Sequence, residues 1–375
     1  MGPWRYIEED GVSASYGLAA DEYLMSGYES NGEVRPPTLR LYTYKSHCAL
    51  VGQFQQVEAE IDVNYCREVN IPINRRPTGG GAIIMGNDQL GMALAASTKY
   101  PGVPNHPREI FALYSAGICQ GLKALGIEGS IGGKNDIRVN GRKIAGLGLC
   151  RGDQGASLFH ASLLVDLDIP LMLRVLRIPF EKLTDKVRAE VEENLTTVRR
   201  EVRWPISASE VRGVVRQGFE SAMGITFFLR PFIPQEEEGI RALEKEKYLD
   251  DRWIFQRRPT PAMTGSSLQK TRGGLLRIYV SLDEDNMIKE VNITGDFFGD
   301  AISLRQLEKN LSCIRAEEGT VREAIGHFFA ENFNPFQQMG EEDLVRGFMA
   351  AVEEARRVRG QQSPYGCFVD PTNIG

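Results

Sequence analysis

The dipeptide Asn140-Gly141 constrains the fold of this chain more than any other feature of it. A two-residue type I′ turn needs positive φ at both central positions, which Asn and Gly tolerate, and its twist joins neighbouring antiparallel strands. Residues 136–139 and 143–149 read as those strands, and 157–166 as another. Residues 38–100 also read mostly as strands: Leu39-Arg40-Leu41-Tyr42 alternates apolar and polar residues, while 48–54 and 89–95 are richer in apolar ones.

Helices interrupt and follow these strands. Pro107 suits a first helical turn. Ile110, Phe111, Tyr114, Ile118, Leu122 and Leu125 form one apolar stripe, and Gly126 suits the C-terminal end. Ser207 and Glu210 have capping-box spacing at the start of a helix over 207–223, with Val211, Val214, Val215, Phe219 and Ala222 facing inward. At 375 residues the chain is longer than one core usually fills. Residues 235–251, rich in Glu, Lys and Asp, read as a solvated helix or linker. Beyond it lie strands at 274–282 and 287–293, then helices near 303–313, 320–333 and 341–356, with Thr320 and Glu323 again in capping-box spacing. The expected organisation is a first domain over 1–234, a linker over 235–251, a small α+β domain over 252–358 and a tail over 359–375.

Composition removes several classes of function. The apolar stretches are strand length, far short of a membrane span, and the N-terminus lacks the basic-then-apolar design of an export signal. A cytoplasmic protein with no membrane partner is expected. The six cysteines, Cys48, Cys66, Cys119, Cys150, Cys313 and Cys367, form no CxxC pair, which suggests neither a zinc site nor a disulfide framework. A net charge of −6 argues against nucleic acid as a partner.

Three segments carry candidate chemistry. In Arg75-Arg76-Pro77-Thr78-Gly79-Gly80-Gly81-Ala82-Ile83-Ile84, glycines allow close backbone approach to a ligand and free amides to face an anion, beside two fixed positive charges. In Gly133-Lys134-Asn135-Asp136 and Asn140-Gly141-Arg142-Lys143-Ile144-Ala145-Gly146, Asn135 and Asp136 suit a nucleotide or the Mg²⁺ on its phosphates. Lys143, flanked by small residues, suits a carboxylate and an α-phosphate together. Phe159-His160-Ala161-Ser162 places one His on an apolar strand. Each segment alone also fits a plain structural role: a glycine turn, an exposed hairpin lysine, a core histidine.

In this order and at this separation, the segments RRPTGGGA, KNDI, NGRKIAG and FHASLLVD resemble the lipoate–protein ligase A family, within the biotin and lipoate ligase and transferase superfamily. Trp4-Arg5-Tyr6-Ile7, Ala20-Asp21-Glu22 and Trp253-Ile254-Phe255 are similar to the long form with an accessory C-terminal domain. The resemblance implies an α+β fold: a mixed or antiparallel-sheet catalytic domain of the biotin/lipoate ligase type, followed by a small α+β accessory domain. It implies activation of lipoate or octanoate with ATP and Mg²⁺ to an acyl-adenylate, and transfer to a lysine of a lipoyl-domain or H-protein-like carrier. Lys143 would be catalytic. Arg76, Gly81, Ala82, Ile83, Ile84, Asn135, Asp136 and Lys143 would bind ATP or adenylate, with Asp136 toward Mg²⁺. Gly80, Gly146 and His160 would support the acyl pocket, and Lys186–Arg199 would close over the adenylate.

The chain departs from the family pattern at Met85-Gly86, at Lys134 and in residues 185–193, which bears on the choice of acyl group. Octanoyl or lipoyl transferases of this superfamily use a cysteine nucleophile. Neither expected place holds one here: Ser157 and Leu158 stand before His160, and 124–130 has no cysteine. Cys150 matches neither place. A non-catalytic adenylate-binding regulator is a further alternative.

Overall fold

The computed structural model describes residues 3–26, 29–30, 33–152, 155–177, 185–332 and 335–362. Cys367 and most of the expected tail lie outside them. The chain divides into two units, one of Met1–Gln53 with Val57–Gln256, the other of Phe54–Gln56 with Arg257–Gly375.

The first unit is built on an eight-stranded mixed sheet. Its strands are β1 (Trp4–Val12), β2 (Thr38–Tyr44), β6 (Gln89–Ser97), β7 (Ser130–Gly132), β8 (Asp136–Val139), β9 (Arg142–Arg151), β10 (Ala156–Leu164) and β11 (Phe227–Leu229). The order across the sheet is β11-β1-β2-β6-β10-β9-β8-β7, with β1 parallel to both its neighbours and the other pairs antiparallel. The turn at Asn140-Gly141 forms as expected, with φ of 50° and 79°. A smaller sheet stands beside it, ordered β4-β3-β5 from β3 (Cys48–Val51), β4 (Ile73–Arg75) and β5 (Ile83–Met85).

Strand residues alternate between faces, and the large apolar ones go to one side. Leu39 and Leu41, Leu90, Met92 and Leu94, Leu147 and Leu149, and Phe159 and Leu163 pack there under the helices Pro107–Ala124 (α2) and Ala208–Met223 (α3). Ser207 caps α3 in the expected capping box. The two helices cross closely because Gly218 meets Gly121: a Cβ on Gly218 would lie 2.3 Å from the Gly121 nitrogen. The opposite face carries Ala14–Ser26 (α1) and a cluster that includes Leu18, Ala93, Leu158, Ile240 and Tyr248.

That last cluster corrects the reading of 235–251 as a solvated helix or linker: the segment is helical but packed. Pro234–Leu243 is a helix (α4), continued by a π-helical turn over Glu244–Tyr248, and both pack against α1 within the first unit. Charges that made the segment look solvated are partners instead. Glu236 takes two hydrogen bonds from Arg5 at 2.6 and 2.7 Å. Glu244 accepts from Ser15 at 2.6 Å, and Lys247 donates to Glu22 at 2.7 Å. Trp253 and Ile254 also belong to this unit, where the Arg75 guanidinium donates to the Ile254 carbonyl at 2.7 Å.

The second unit has a three-stranded antiparallel sheet, β12 (Gly265–Thr271), β13 (Gly274–Leu282) and β14 (Ile288–Gly295). Three helices follow, Ala301–Asn310, Glu318–Glu331 and Glu341–Gln362. Strand β12 is absent from the sequence reading because its helix-facing positions are polar: Ser267 donates to the Gly347 carbonyl at 2.6 Å, and Gln269 to that of Asp343. The helix expected at Thr320 begins two residues earlier, after Glu317, so Thr320 lies inside it.

Replacing Ile240, fully buried, by Ala is expected to cost about 2–5 kcal/mol in denaturant-induced unfolding of the full chain. A solvated linker position would change stability by less than about 0.5 kcal/mol.

Candidate active site

The face of the large sheet turned away from α2 and α3 is floored by small residues in register. One cross-strand row runs Tyr42, Gly91, Ser162, Gly146, Asp136, and the next runs Arg40, Ala93, His160, Gly148. Glycine at three of these places leaves a depression where side chains would otherwise stand. At Gly91 the space is taken by the Tyr42 ring, 2.7 Å from where a Cβ would be.

The loop between β4 and β5 lies over this floor. The resulting pocket is lined by Arg76, Thr78, Gly79, Gly80, Gly81, Ala82 and Ile83 of the loop side, and by Asn135, Lys143, Gly146, Gly148, His160 and Ser162 of the sheet. Leu18, Tyr42, Tyr44, Leu50 and Met85 add apolar and aromatic walls. Period-two alternation on β5 turns Ile83 and Met85 to the pocket. Ile84, expected there as well, is buried on the other side with Ala49 and Val51.

Charge is distributed unevenly around the pocket. Arg76 is buried, and its guanidinium donates to the carbonyls of Leu50 and Gly81 at 2.8 Å each. Among the described residues no carboxylate pairs with it, and burial lowers its pKa to about 10. Arg75 is structural by contrast, its guanidinium donating to backbone carbonyls that include Gly52 and Gln53. Lys143 lies beside bare Gly146, where a Cβ would come 3.2 Å from its Nζ, and it pairs with Asp136 Oδ1 at 2.8 Å. Asp136 Oδ2 accepts from Arg138 at 2.9 Å. Both Asp136 carboxylate oxygens are thus held by cations, Lys143 on one side and Arg138 on the other. Asn135 donates from its amide to the Leu147 carbonyl at 2.8 Å.

Beside the pocket, between the sheet and α1, lies a buried polar network that the sequence reading missed. Arg40 Nη1 donates to Asp21 Oδ1 at 2.7 Å and to the Gly17 carbonyl at 3.0 Å, and its Nε donates to Glu9 at 2.6 Å. Tyr42 donates to Asp21 Oδ2 at 2.8 Å, and His160 Nε2 lies 3.0 Å from the same oxygen. On its other side His160 Nδ1 lies 3.4 Å from Thr78 Oγ1. Burial by itself would raise the Asp21 carboxyl, but Arg40, then His160 and Tyr42, hold it below the usual range. The available signal was Arg40 itself, a charged residue between Leu39 and Leu41 in a strand that is buried throughout.

No thiol joins the described pocket lining. Cys150 contacts Met25 sulfur at 3.9 Å, and burial, then the Glu22 carboxylate, pushes its thiol pKa well up. The segment 186–199 is partly helical, over Asp185–Asn194 and Val198–Val202, and its Thr196 amide donates to the Lys143 carbonyl at 2.9 Å.

Residues 13–220 match the model of the lipoyl protein ligase A/B catalytic domain, and residues 260–347 that of the bacterial lipoate protein ligase C-terminus. The chain belongs to the lipoyl protein ligase A/B family. Its α+β fold with a mixed sheet and a C-terminal accessory domain is that of the lipoate ligases. Similar proteins include octanoyltransferase LipM of Kyrpidia tusciae, 29% identical over 279 residues, which covers 68% of this chain and 100% of that protein. LipM of Bacillus subtilis is 26% identical over 279 residues, covering 68% and 98%. Among solved structures, the bipartite lipoate protein ligase of Thermoplasma acidophilum, described with its E2 lipoyl domain, is 27% identical with a TM-score of 0.61 over 69% of this chain and 98% of that one. A lipoate-protein ligase A bound with ATP is 25% identical with a TM-score of 0.58, covering 67% and 98%. LipL1 of P. falciparum in complex with lipoate shares the fold over 93% of this chain and 99% of its own, at 17% identity and a TM-score of 0.72. This chain is thus an enzyme of lipoate or octanoate attachment. Among the described residues, no helix is long and apolar enough to cross a membrane.

The glycine-rich loop sits where it does because Gly52 lacks a side chain: a Cβ there would lie 2.0 Å from the Gly80 carbonyl oxygen. Gly52→Ala is expected to displace the loop and lower acyl transfer to a carrier at least tenfold. Carrier acylation followed by mass spectrometry measures this, and an unchanged rate would show that the loop's position is immaterial.

Proposed function

We propose that the chain is an ATP-dependent lipoate–protein ligase, activating free lipoate or octanoate to the acyl-adenylate and passing the acyl group to a carrier lysine. The observation that carries this reading is a pocket with a buried cation, Arg76, that no described carboxylate neutralises, a second cation at Lys143, and no thiol in its described lining. A buried uncompensated charge favours an anionic ligand, and the acid's carboxylate and the nucleotide phosphates are both anionic. In the first half-reaction a carboxylate oxygen attacks the α-phosphorus and the bond to pyrophosphate breaks. Arg76 and Lys143 would stabilise the charge that develops there, and the loop amides of Gly80 and Gly81 would hold the phosphate. Mg²⁺ would enter as the nucleotide's companion. The acyl chain would lie toward Leu18, Leu50, Ile83 and Met85. A lipoyl domain, the partner described with the Thermoplasma ligase, is the proposed carrier.

Domain content supports the same reading. The LipM relatives match 68% of this chain, whereas residues 260–347 match the bacterial lipoate protein ligase C-terminus. We take the catalytic unit to end at Gln256 and the accessory unit to run from Arg257.

A second reading is favoured by the relatives' names: octanoyl transfer from a preformed acyl donor without ATP. The two differ in what they consume. Purified protein with free octanoate, ATP, Mg²⁺ and an apo lipoyl domain is expected to release pyrophosphate and octanoylate the domain. Activity only with an octanoyl thioester, independent of ATP, would establish the transferase instead.

Lys143→Ala is expected to reduce pyrophosphate release on the order of a hundredfold, equivalent to ~3 kcal/mol of transition-state stabilisation. Near-normal release would remove Lys143 from the mechanism. Cys150→Ser is expected to retain most activity, with no acyl-thioester on the enzyme. A hydroxylamine-sensitive adduct lost in this variant would overturn the ligase reading.

A further inference from the structure

Ligase and transferase end alike, with a carrier amine attacking an activated acyl carbonyl. That step makes the nitrogen cationic, so a proton must leave it. The inference rests on this shared acyl-transfer step and not on ATP dependence. Most polar groups lining the pocket cannot take that proton. Arg76 and Lys143 are cations, and Asp136, which holds Lys143, has both carboxylate oxygens in ion pairs. Tyr42 and Tyr44 are kept protonated, with burial the largest influence and Asp21 a further one. His160 is the base that remains among the described lining residues.

We propose that Thr78, His160 and Asp21 form a proton relay for the incoming carrier amine. The order of atoms follows from hydrogen-bond chemistry. Asp21 already accepts from Arg40 and Tyr42, and an ionised carboxylate only accepts. His160 Nε2, 3.0 Å from Asp21 Oδ2, therefore carries a hydrogen and donates it. In the neutral ring His160 Nδ1 then holds a lone pair, and Thr78 Oγ1, 3.4 Å away, is placed to turn its hydrogen toward it. This leaves the oxygen's own lone pairs to accept from a donor in the pocket, and the donor that chemistry brings there is the amine. Gly148, paired with His160 across the sheet, keeps this arrangement open: a Cβ there would lie 3.2 Å from Thr78 Oγ1.

The step balances. The amine nitrogen bonds to the acyl carbon, and the bond from that carbon to the adenylate oxygen breaks, its electron pair leaving with AMP. The amine's proton passes to Thr78 Oγ1 as the threonine's own proton passes to His160 Nδ1. The imidazolium so formed is held against Asp21 and returns its proton to water once the product departs. Thr78 touches the substrate and is catalytic, whereas His160 and Asp21 act through it as positioning residues. Asp21→Asn would reverse the arrangement, because an amide donating to Nε2 puts the hydrogen on Nδ1, where it opposes the Thr78 hydroxyl.

The test is single-turnover transfer from synthetic octanoyl-adenylate to an apo lipoyl domain, using the full-length chain. Thr78→Val, which keeps shape and loses the hydroxyl, is expected to slow transfer on the order of a hundredfold. Thr78→Ser should restore it to within about fivefold. Asp21→Asn should slow transfer comparably, and the double variant should be no more than about threefold slower than Thr78→Val alone, since one relay is lost only once. A solvent deuterium isotope effect present in the wild type should shrink in Thr78→Val. Wild-type transfer by Thr78→Val would overturn the relay, and so would losses that multiply in the double variant. If Asp21→Asn fails to fold, His160→Gln takes its place in the cycle. The same series run with an octanoyl thioester as donor tests the relay in a chain that uses neither ATP nor adenylate, so failure of the ligase assay and failure of the relay remain distinguishable.

Discussion

The arrangement of the first unit depends on keeping two faces of one sheet chemically distinct. On β2, β6, β9 and β10 the odd-even alternation sends leucines, Met92 and Phe159 under two helices and leaves Arg40, Gly91, Gly146, Gly148, His160 and Ser162 on the other side. A one-residue slip of β2 or β10 would turn Arg40 or His160 into the apolar layer and bring a leucine toward the pocket. Register is therefore set by the packed side, where each fully buried leucine-sized residue contributes about 1.5–3 kcal/mol. The functional side inherits a geometry it would not hold alone. Cross-strand glycines would weaken an isolated sheet; here they shape a depression.

The buried charges beside the pocket work in the same way. Arg40 and Asp21 are fully buried, and an ion pair in that position is a weak source of net stability, because desolvation offsets most of the attraction. Breaking it by removing one partner would cost about 3–5 kcal/mol. What the pair supplies is position. Asp21, on α1, is tied to Arg40 and Tyr42 on β2 and to His160 on β10, so three elements distant in sequence converge on one carboxylate. The Arg40 guanidinium also lies 4.1 Å from the centre of the Tyr42 ring, in the range of a cation–π contact.

Charge also explains why the end of the first unit was misread. A segment with many glutamates and lysines is usually solvated, yet Glu236 and Glu244 are nearly buried, because Arg5 and Ser15 meet them. Arg5 and Ser15 lie more than two hundred residues away in sequence, so no local pattern reveals these contacts.

By itself the sequence determined what local chemistry decides. The Asn140-Gly141 turn, Pro107 and Gly126 at the ends of one helix and the Ser207 capping box on another follow from backbone sterics and from hydrogen bonds spanning a few residues. It also carried the grouped motifs, which made the Arg76, Lys143 and His160 segments legible as parts of one site. Tertiary structure decided which atoms meet. It turned Ile84 away and left Met85 facing inward, spent Asp136 on Lys143 and Arg138, and brought Thr78, His160 and Asp21 into one line. The reason is that strand pairing and burial act between residues far apart in the chain. A side chain's neighbours, and with them its charge and hydrogen-bonding partners, exist only after the sheet has closed.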